Sequence, residues 1–192
     1  FPRITVDRAA TERLLSSAHD VFDGLLTVRL RTSWWWTLGM TWTLVNLRGM
    51  EQVMYDMVEQ PEELHALMAF LRDGHMARLD DLESQGLLGA NNDGTYVGSG
   101  GFGWSRELPE SDGSPAACRD MWGFAESQET VGVSPAMFAE FVLPYQIPLL
   151  ARFGLNCYGC CEPLDKRWES VSRIPRLRRV SVSPWSDLAT MA

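Results

Sequence analysis

The stretch LNCYGCCEPL (155–164) decides how the fold of this sequence is interpreted. Its apolar beginning is typical of a short buried strand. The whole stretch contains three of the four cysteines in the chain and one acid, Glu162. Gly159 separates the apolar part from the reactive part, and Pro163 follows the acid. The pattern predicts a buried β-strand whose carboxyl end carries chemically reactive side chains.

Strands are also predicted at 25–30, 87–92, 120–127 and 177–183, and the last three end in polar side chains in the same way. Segments with helical spacing of apolar residues alternate with the strands. One of them begins at Pro61, and another, at 134–154, has Ser134 as its cap. Parallel strands joined by helical crossovers place such residues along one edge of a sheet. Four clusters in series are more typical of a barrel rim than of one crevice, so we expect an α/β fold of the (β/α)8 TIM-barrel type. The clusters are Asn91, Asn92 and Asp93; Glu126, Ser127 and Gln128; Cys160, Cys161 and Glu162; and Ser183, Trp185 and Asp187.

The length of the chain restricts this prediction to part of a barrel. A complete (β/α)8 barrel takes roughly 250 residues, whereas the chain has 192 residues and contains about five predicted strands. We therefore expect one domain over residues 1–192, a partial barrel with strands missing at one or both ends. Residues 93–119 form a long polar segment, which predicts a functional loop on the rim.

Composition and charge exclude several classes of partner. A net charge of −8 disfavours binding to nucleic acid, which requires clustered Lys and Arg. No apolar run approaches the roughly 18 residues of a membrane span, and the first residues lack the apolar core of an export signal. Crowded cysteines favour reduced thiols, so we expect a cytoplasmic protein. The oligomeric state is open, with a homodimer as one option.

The crowded cysteines have three interpretations. They can bind zinc with an acid, form a redox pair at the start of the helix after Pro163, or be structural thiols at the end of a strand. Alternation along a strand places Cys157 and Cys160 on opposite faces, so at most two of the three thiols share one metal ion. Glu126 and Asp187 are candidate acids or bases at other strand ends, and the alternative for each is capping of the segment that follows.

Longer segments resemble the uroporphyrinogen decarboxylase superfamily, which includes zinc-dependent methyltransferases. The similar segments are FAEFVLPYQIPLLARFGLNCYGCCEPL (138–164), IPRLRRVSVSPWSDL (174–188) and LRGMEQVMYDMVEQPEELHALM (47–68). The order of a proline-rich helix, a strand with a reactive end, and an IP-x-L segment before another strand is that of the superfamily. The sequence is closest to a branch that carries YGCCEP, and the resemblance implies a (β/α)8 barrel.

The resemblance also implies a site and a reaction. Cys160 matches the zinc-binding cysteine of the methyltransferases, Cys161 and Glu162 are the further zinc ligands expected, and Tyr158 occupies the position of the family histidine. With Trp185, Tyr158 is expected to border the cofactor. In this interpretation zinc holds an acceptor thiol as a thiolate, which attacks a methyl group on the corrinoid of a partner protein. The catalytic acids expected on the rim are Glu126, Glu162 and Asp187.

Two alternatives to methyl transfer remain. The first is a lyase that resembles uroporphyrinogen decarboxylase and uses no metal. Those decarboxylases hold the substrate carboxylates with Arg and Asp residues of their N-terminal strands, and we identify no matching Arg-rich segment here. The second is a partial barrel whose cysteines are structural, and which either acts as a binding subunit or lacks activity altogether.

Overall fold

The computed structural model describes residues 1, 3–99, 101–110 and 112–191, and these residues contain one sheet of three parallel strands. The strands are β1 (Trp122–Ala125), β2 (Leu155–Tyr158) and β3 (Leu177–Val180), in the order β1-β2-β3. Cys157 of β2 lies opposite Phe124 of β1. The register shifts between β2 and β3 at this point, where Cys157 lies opposite Arg179.

The described residues contain eight α-helices, and none of them is long and apolar enough to cross a membrane. The helices are α1 (Arg8–Phe22), α2 (Thr41–Arg48), α3 (Met50–Glu59), α4 (Pro61–Ser84), α5 (Pro135–Phe141), α6 (Leu143–Leu150), α7 (Trp168–Val171) and α8 (Leu188–Met191). Ser134 caps α5 by accepting a hydrogen bond from the N–H of Met137 at 3.2 Å, as the sequence predicts. Pro144 and Pro148 are both predicted to bend or break this helix; α5 ends at Phe141, before Pro144, whereas Pro148 lies inside α6.

The prediction of a partial (β/α)8 barrel is wrong, because the sheet in the described residues is open and has only three strands. Of the other predicted strands, residues 25–30 do not form a strand in the structure. Residues 87–92 contribute only an isolated antiparallel bridge between Gly89 and Pro115. The outer edge of β1 is met by the segment before α2, where the N–H of Leu38 donates to the carbonyl of Phe124 at 2.9 Å.

The two faces of the sheet pack against different parts of the chain. Ala125 and Tyr158 face the main core, which is formed with the helices. Phe124 and Cys157 face a smaller apolar cluster with Val97, which belongs to the long segment after α4. The long segment predicted as a rim loop therefore covers the second face of the sheet.

Glycines in this segment allow its backbone to lie directly on the sheet. Gly98 has a φ of +68°, and a Cβ at this position would collide with the ring of Phe124. A Cβ at Gly101 would collide with the guanidinium of Arg179. Close packing against side chains of β1 and β3 thus explains Gly98 and Gly101.

Candidate functional site

Three buried acids meet beyond the carboxyl ends of β1 and β2, and we call them the carboxylate cluster: Glu126, Glu129 and Glu162. Their exposed fractions are 0%, 9% and 1%. Glu126 directly follows β1, and Glu162 lies four residues after β2. The carboxyl edge of a parallel sheet is where α/β proteins place their ligand sites, so the cluster is the first candidate for a functional site.

Glu126 is buried with one of its two carboxyl oxygens unpaired within the part of the chain that the structure describes. Its Oε2 accepts a hydrogen bond from the N–H of Gln128 at 2.9 Å, whereas its Oε1 has no partner among the described residues. Burial raises the pKa of Glu126 to about 7, against the hydrogen bond from Gln128, and the charges of Glu129 and Glu162 raise it further. The carboxyl group can therefore exchange a proton near neutral pH.

The other two acids of the cluster are held by hydrogen bonds. Glu162 accepts from the backbone N–H of Ser127 at 2.8 Å and from that of Cys160 at 2.9 Å, which joins the ends of β1 and β2. Glu129 accepts from the hydroxyl of Thr41, the first residue of α2, at 2.7 Å. Both acids are therefore fixed in position by hydrogen bonds.

Arg167 is a buried, positively charged residue that follows Glu162 of this cluster by five positions in the sequence. It is 4% exposed, and it donates to the hydroxyl of Ser127 at 3.0 Å and to the carbonyl of Thr130. Its guanidinium carbon lies 4.6 Å from the ring centroid of Phe138 in α5. Sequence reasoning missed this residue, because an arginine beside Lys166 in a predicted short helix is indistinguishable from a surface residue.

A second polar network holds the backbone behind Glu126. Tyr158 donates its hydroxyl proton to Oε1 of Gln146 in α6 at 2.7 Å. The amide of Gln146 donates to the carbonyl of Glu126 at 2.9 Å and to that of Gly39 at 2.7 Å. Tyr158, expected from the sequence to border a cofactor, has no exposed surface. Its position is that of a support for the end of β1.

The other predicted thiol ligands lie outside the carboxylate cluster, in what we call the thiol pair: Cys160 and Cys161. Their sulfur atoms are 3.7 Å apart, Cys161 is exposed and Cys160 is partly buried. Burial raises the pKa of Cys160, and the neighbouring thiol of Cys161 adds to this effect. Cys157 is separate, because it is buried in the smaller apolar cluster and accepts a hydrogen bond from Arg179 at 3.2 Å.

A shallow groove of about 390 Å³ opens beside the thiol pair. It is lined by Gln128, Val131, Cys161, Glu162, Pro163 and Trp185. Trp185 is 77% exposed, so one face of the groove is apolar and accessible to solvent. The groove brings together three of the predicted site residues, Cys161, Glu162 and Trp185.

The turn at Gly159 holds the thiol pair in place, and we expect Gly159→Ala to disturb it. Gly159 has a φ of +95°, and a Cβ there would lie 2.7 Å from Cδ1 of Leu164. The variant should lose about 2 kcal/mol of unfolding free energy in urea titrations, because a non-glycine residue is strained in this region. Gly113→Ala, also at positive φ but with open space around its Cβ, is the control for the steric part. An equal loss in both variants would contradict the role of Leu164.

Asp187 lies apart from the cluster and from the thiol pair. It is exposed, and its Oδ1 accepts from the N–H of Ala189 at 2.9 Å at the start of α8. The contacts of Asp187 are therefore those of a residue that caps the following segment, which is the alternative to a catalytic role given above.

The residues present do not fit the predicted zinc ion. Both carboxylate oxygens of Glu162 point to backbone N–H groups and not to the sulfurs of Cys160 and Cys161. Within residues 1, 3–99, 101–110 and 112–191, no group of three or more His, Cys, Asp or Glu side chains is arranged to hold a metal ion. A catalytic zinc site needs three protein ligands, and the thiol pair supplies two.

A cavity of about 870 Å³ lies on the face of the sheet that carries Trp122 and Phe124. We call it the aromatic cavity, because Trp36, Trp122 and Phe124 are among its walls. Arg29 and Arg31 also line it. The alternating arginines in LLTVRLRTS (25–33) were the available sequence signal, but this segment was interpreted as a strand without a substrate role.

One arginine of the aromatic cavity is already paired. Arg31 forms a salt bridge with Asp93 and donates to the hydroxyl of Thr95. The hydrogen bond from Thr95 lowers the pKa of Asp93, and the contact with Arg31 lowers it further. Arg29 is exposed and has no ion-pair partner among the described residues. It is the cavity's available positive charge.

The chain has no match among protein-family models, curated proteins or solved structures.

Proposed function

We propose that the chain is an enzyme of the carboxy-lyase class in which Glu126 acts as the proton donor. The observation that carries the proposal is the buried carboxyl group of Glu126, whose pKa is raised to about 7 and whose Oε1 has no hydrogen-bond partner among the described residues. Such a group is matched to general acid catalysis near neutral pH. It lies at the carboxyl edge of the sheet, where this class of fold binds ligands.

The shape and lining of the aromatic cavity suit a planar substrate that carries an acidic group. Trp122 and Phe124 of β1 are among the walls of the cavity, and Glu126 follows Phe124 by two residues in the sequence. Aromatic walls bind a flat apolar body, and Arg29 offers a positive charge for a carboxylate.

The proton balance of the proposed reaction is simple. Departure of CO2 from a substrate carboxylate leaves an electron pair on carbon, and that carbon takes the proton of Glu126. Solvent then returns a proton to Glu126 before the next turnover. A carboxylate with an unshifted pKa would be ionised at neutral pH and could not donate this proton.

Methyl transfer to a thiol is the second candidate. The exposed thiol pair beside the groove is the observation that favours it. A zinc-dependent form of this reaction needs at least one metal ligand in addition to those that the described residues provide.

The proposed lyase reaction is tested with uroporphyrinogen as probe, by measuring release of CO2. We expect release by the wild type that slows as the pH rises through about 7, because the donor must be protonated. Glu126→Gln should lower the rate about 100-fold, whereas Glu59→Gln, at an exposed position of α3, should not change it.

A wild-type protein that binds the probe and releases no CO2 would contradict the lyase proposal. The second candidate has its own assay, transfer of methyl from methylcobalamin to coenzyme M. Transfer that is lost in Cys161→Ser and kept in Glu126→Gln would favour methyl transfer over the lyase reaction.

A further inference from the structure

We infer that the thiol pair is a binding site for a soft monovalent metal ion of the copper(I) class. This site is distinct from the carboxylate cluster and does not depend on the proposed lyase reaction. Its ligands are the sulfur atoms of Cys160 and Cys161, which lie 3.7 Å apart at the edge of a solvent-accessible groove.

The local backbone brings two consecutive thiols together, which an extended strand does not do. Side chains of consecutive strand residues point to opposite faces. β2 ends at Tyr158, and the chain then bends through Gly159 at a φ of +95°. The bend continues through Cys160, Cys161 and Glu162, so that the two sulfurs come into contact.

The choice of ion follows from the donors that remain available. Zinc in proteins takes three or four protein ligands, and the carboxylate of Glu162 is already bound to two backbone N–H groups. Thiolate ligands select copper(I), zinc and iron–sulfur clusters, and zinc and iron–sulfur centres need more protein ligands than the two that the thiol pair supplies. Copper(I) also accepts two thiolates as its complete ligand set, so no third side chain is needed.

Access and charge agree with this assignment. Cys161 is exposed and lines the groove, whereas Cys118 and Cys157 are buried. Binding releases two thiol protons to solvent and leaves the oxidation state of the metal unchanged. The product carries a net charge of −1 from two thiolates and one cation, and the open groove keeps that charge hydrated.

The test is an anaerobic titration of the full chain with copper(I) against bicinchoninate as a competing chelator. We expect one copper(I) ion per chain and an X-ray absorption spectrum with sulfur neighbours only. Cys160→Ser and Cys161→Ser should each weaken binding more than about 100-fold, because each removes one of two ligands. Gln128→Ala, which changes the groove and keeps both thiols, should bind as the wild type does.

Three results would overturn the inference. The first is copper(I) affinity that is unchanged in both serine variants, and the second is oxygen or nitrogen neighbours in the absorption spectrum. The third is zinc bound at the pair as tightly as copper(I), with the same loss in the variants. Thermal unfolding of each variant checks that the chain is folded. We expect Cys161→Ser to retain the fold, because Cys161 lies at an exposed position.

Discussion

The unfolding free energy of the wild type should fall by about 3 kcal/mol between about pH 4.5 and pH 7, and Glu126→Gln should abolish this fall. The pKa of Glu126 is about 7 in the folded protein, against an ordinary value of 4.5. Between these values the folded state holds the proton and the unfolded state has released it. The stabilisation is fully present below pH 4.5, and it is lost as the pH rises through about 7.

The measurement is a series of urea titrations of both proteins across this pH range. Subtracting the variant from the wild type removes the contribution of acids whose pKa is lowered, such as Asp56 and Asp81, because both proteins contain them. Glu59→Gln, at an exposed position, should keep the full wild-type slope. A difference that is flat with pH, or that rises with pH, would show that Glu126 is ionised in the folded protein.

Local signals in the sequence identified the elements that form the sheet. The strand in LNCYG (155–159) is confirmed as β2, and the strand around residues 120–127 is confirmed in a shorter form as β1. Pro61 begins α4 as predicted. These elements depend on caps, prolines and apolar runs, which are properties of neighbouring residues.

The closure of the sheet could not be predicted in the same way, because it depends on distant parts of the chain. LLTVRL (25–30) has the apolar pattern of a strand, yet Leu25 and Leu26 are exposed. LLGANN (87–92) likewise makes only a bridge from Gly89. A pattern shows that a segment suits a strand, but pairing requires a partner edge at the correct register.

The candidate site was predicted in part. Glu126 and Glu162 were found because they follow strands, and parallel strands bring their carboxyl ends to one edge. Glu129 and Arg167 were missed, because each becomes significant only through burial against a distant segment, Thr41 for Glu129 and Thr130 for Arg167. A single sequence does not reveal which charged residue of a helix is buried.

Arg167→Ala should lower the unfolding free energy by about 3–5 kcal/mol, the range found when one partner of a buried charge arrangement is removed. The side chain is 4% exposed, and its loss leaves the hydroxyl of Ser127 and the carbonyl of Thr130 without their donor. It also removes the buried positive charge that faces Glu162. Lys166→Ala, at the exposed neighbouring position, should change the stability by less than about 0.5 kcal/mol.

A double-mutant cycle with Glu162→Gln separates the electrostatic part of this loss from the packing part. If the loss comes from an uncompensated carboxylate, Arg167→Ala should cost at least about 1 kcal/mol less when Glu162 is already neutral. If it comes from the stacking of the guanidinium on Phe138, the two changes should add. Urea titrations of the four proteins at about pH 8, where acids of ordinary pKa are ionised, decide between these results. Additive losses would mean that the carboxylate cluster is held by its backbone N–H donors and not by Arg167.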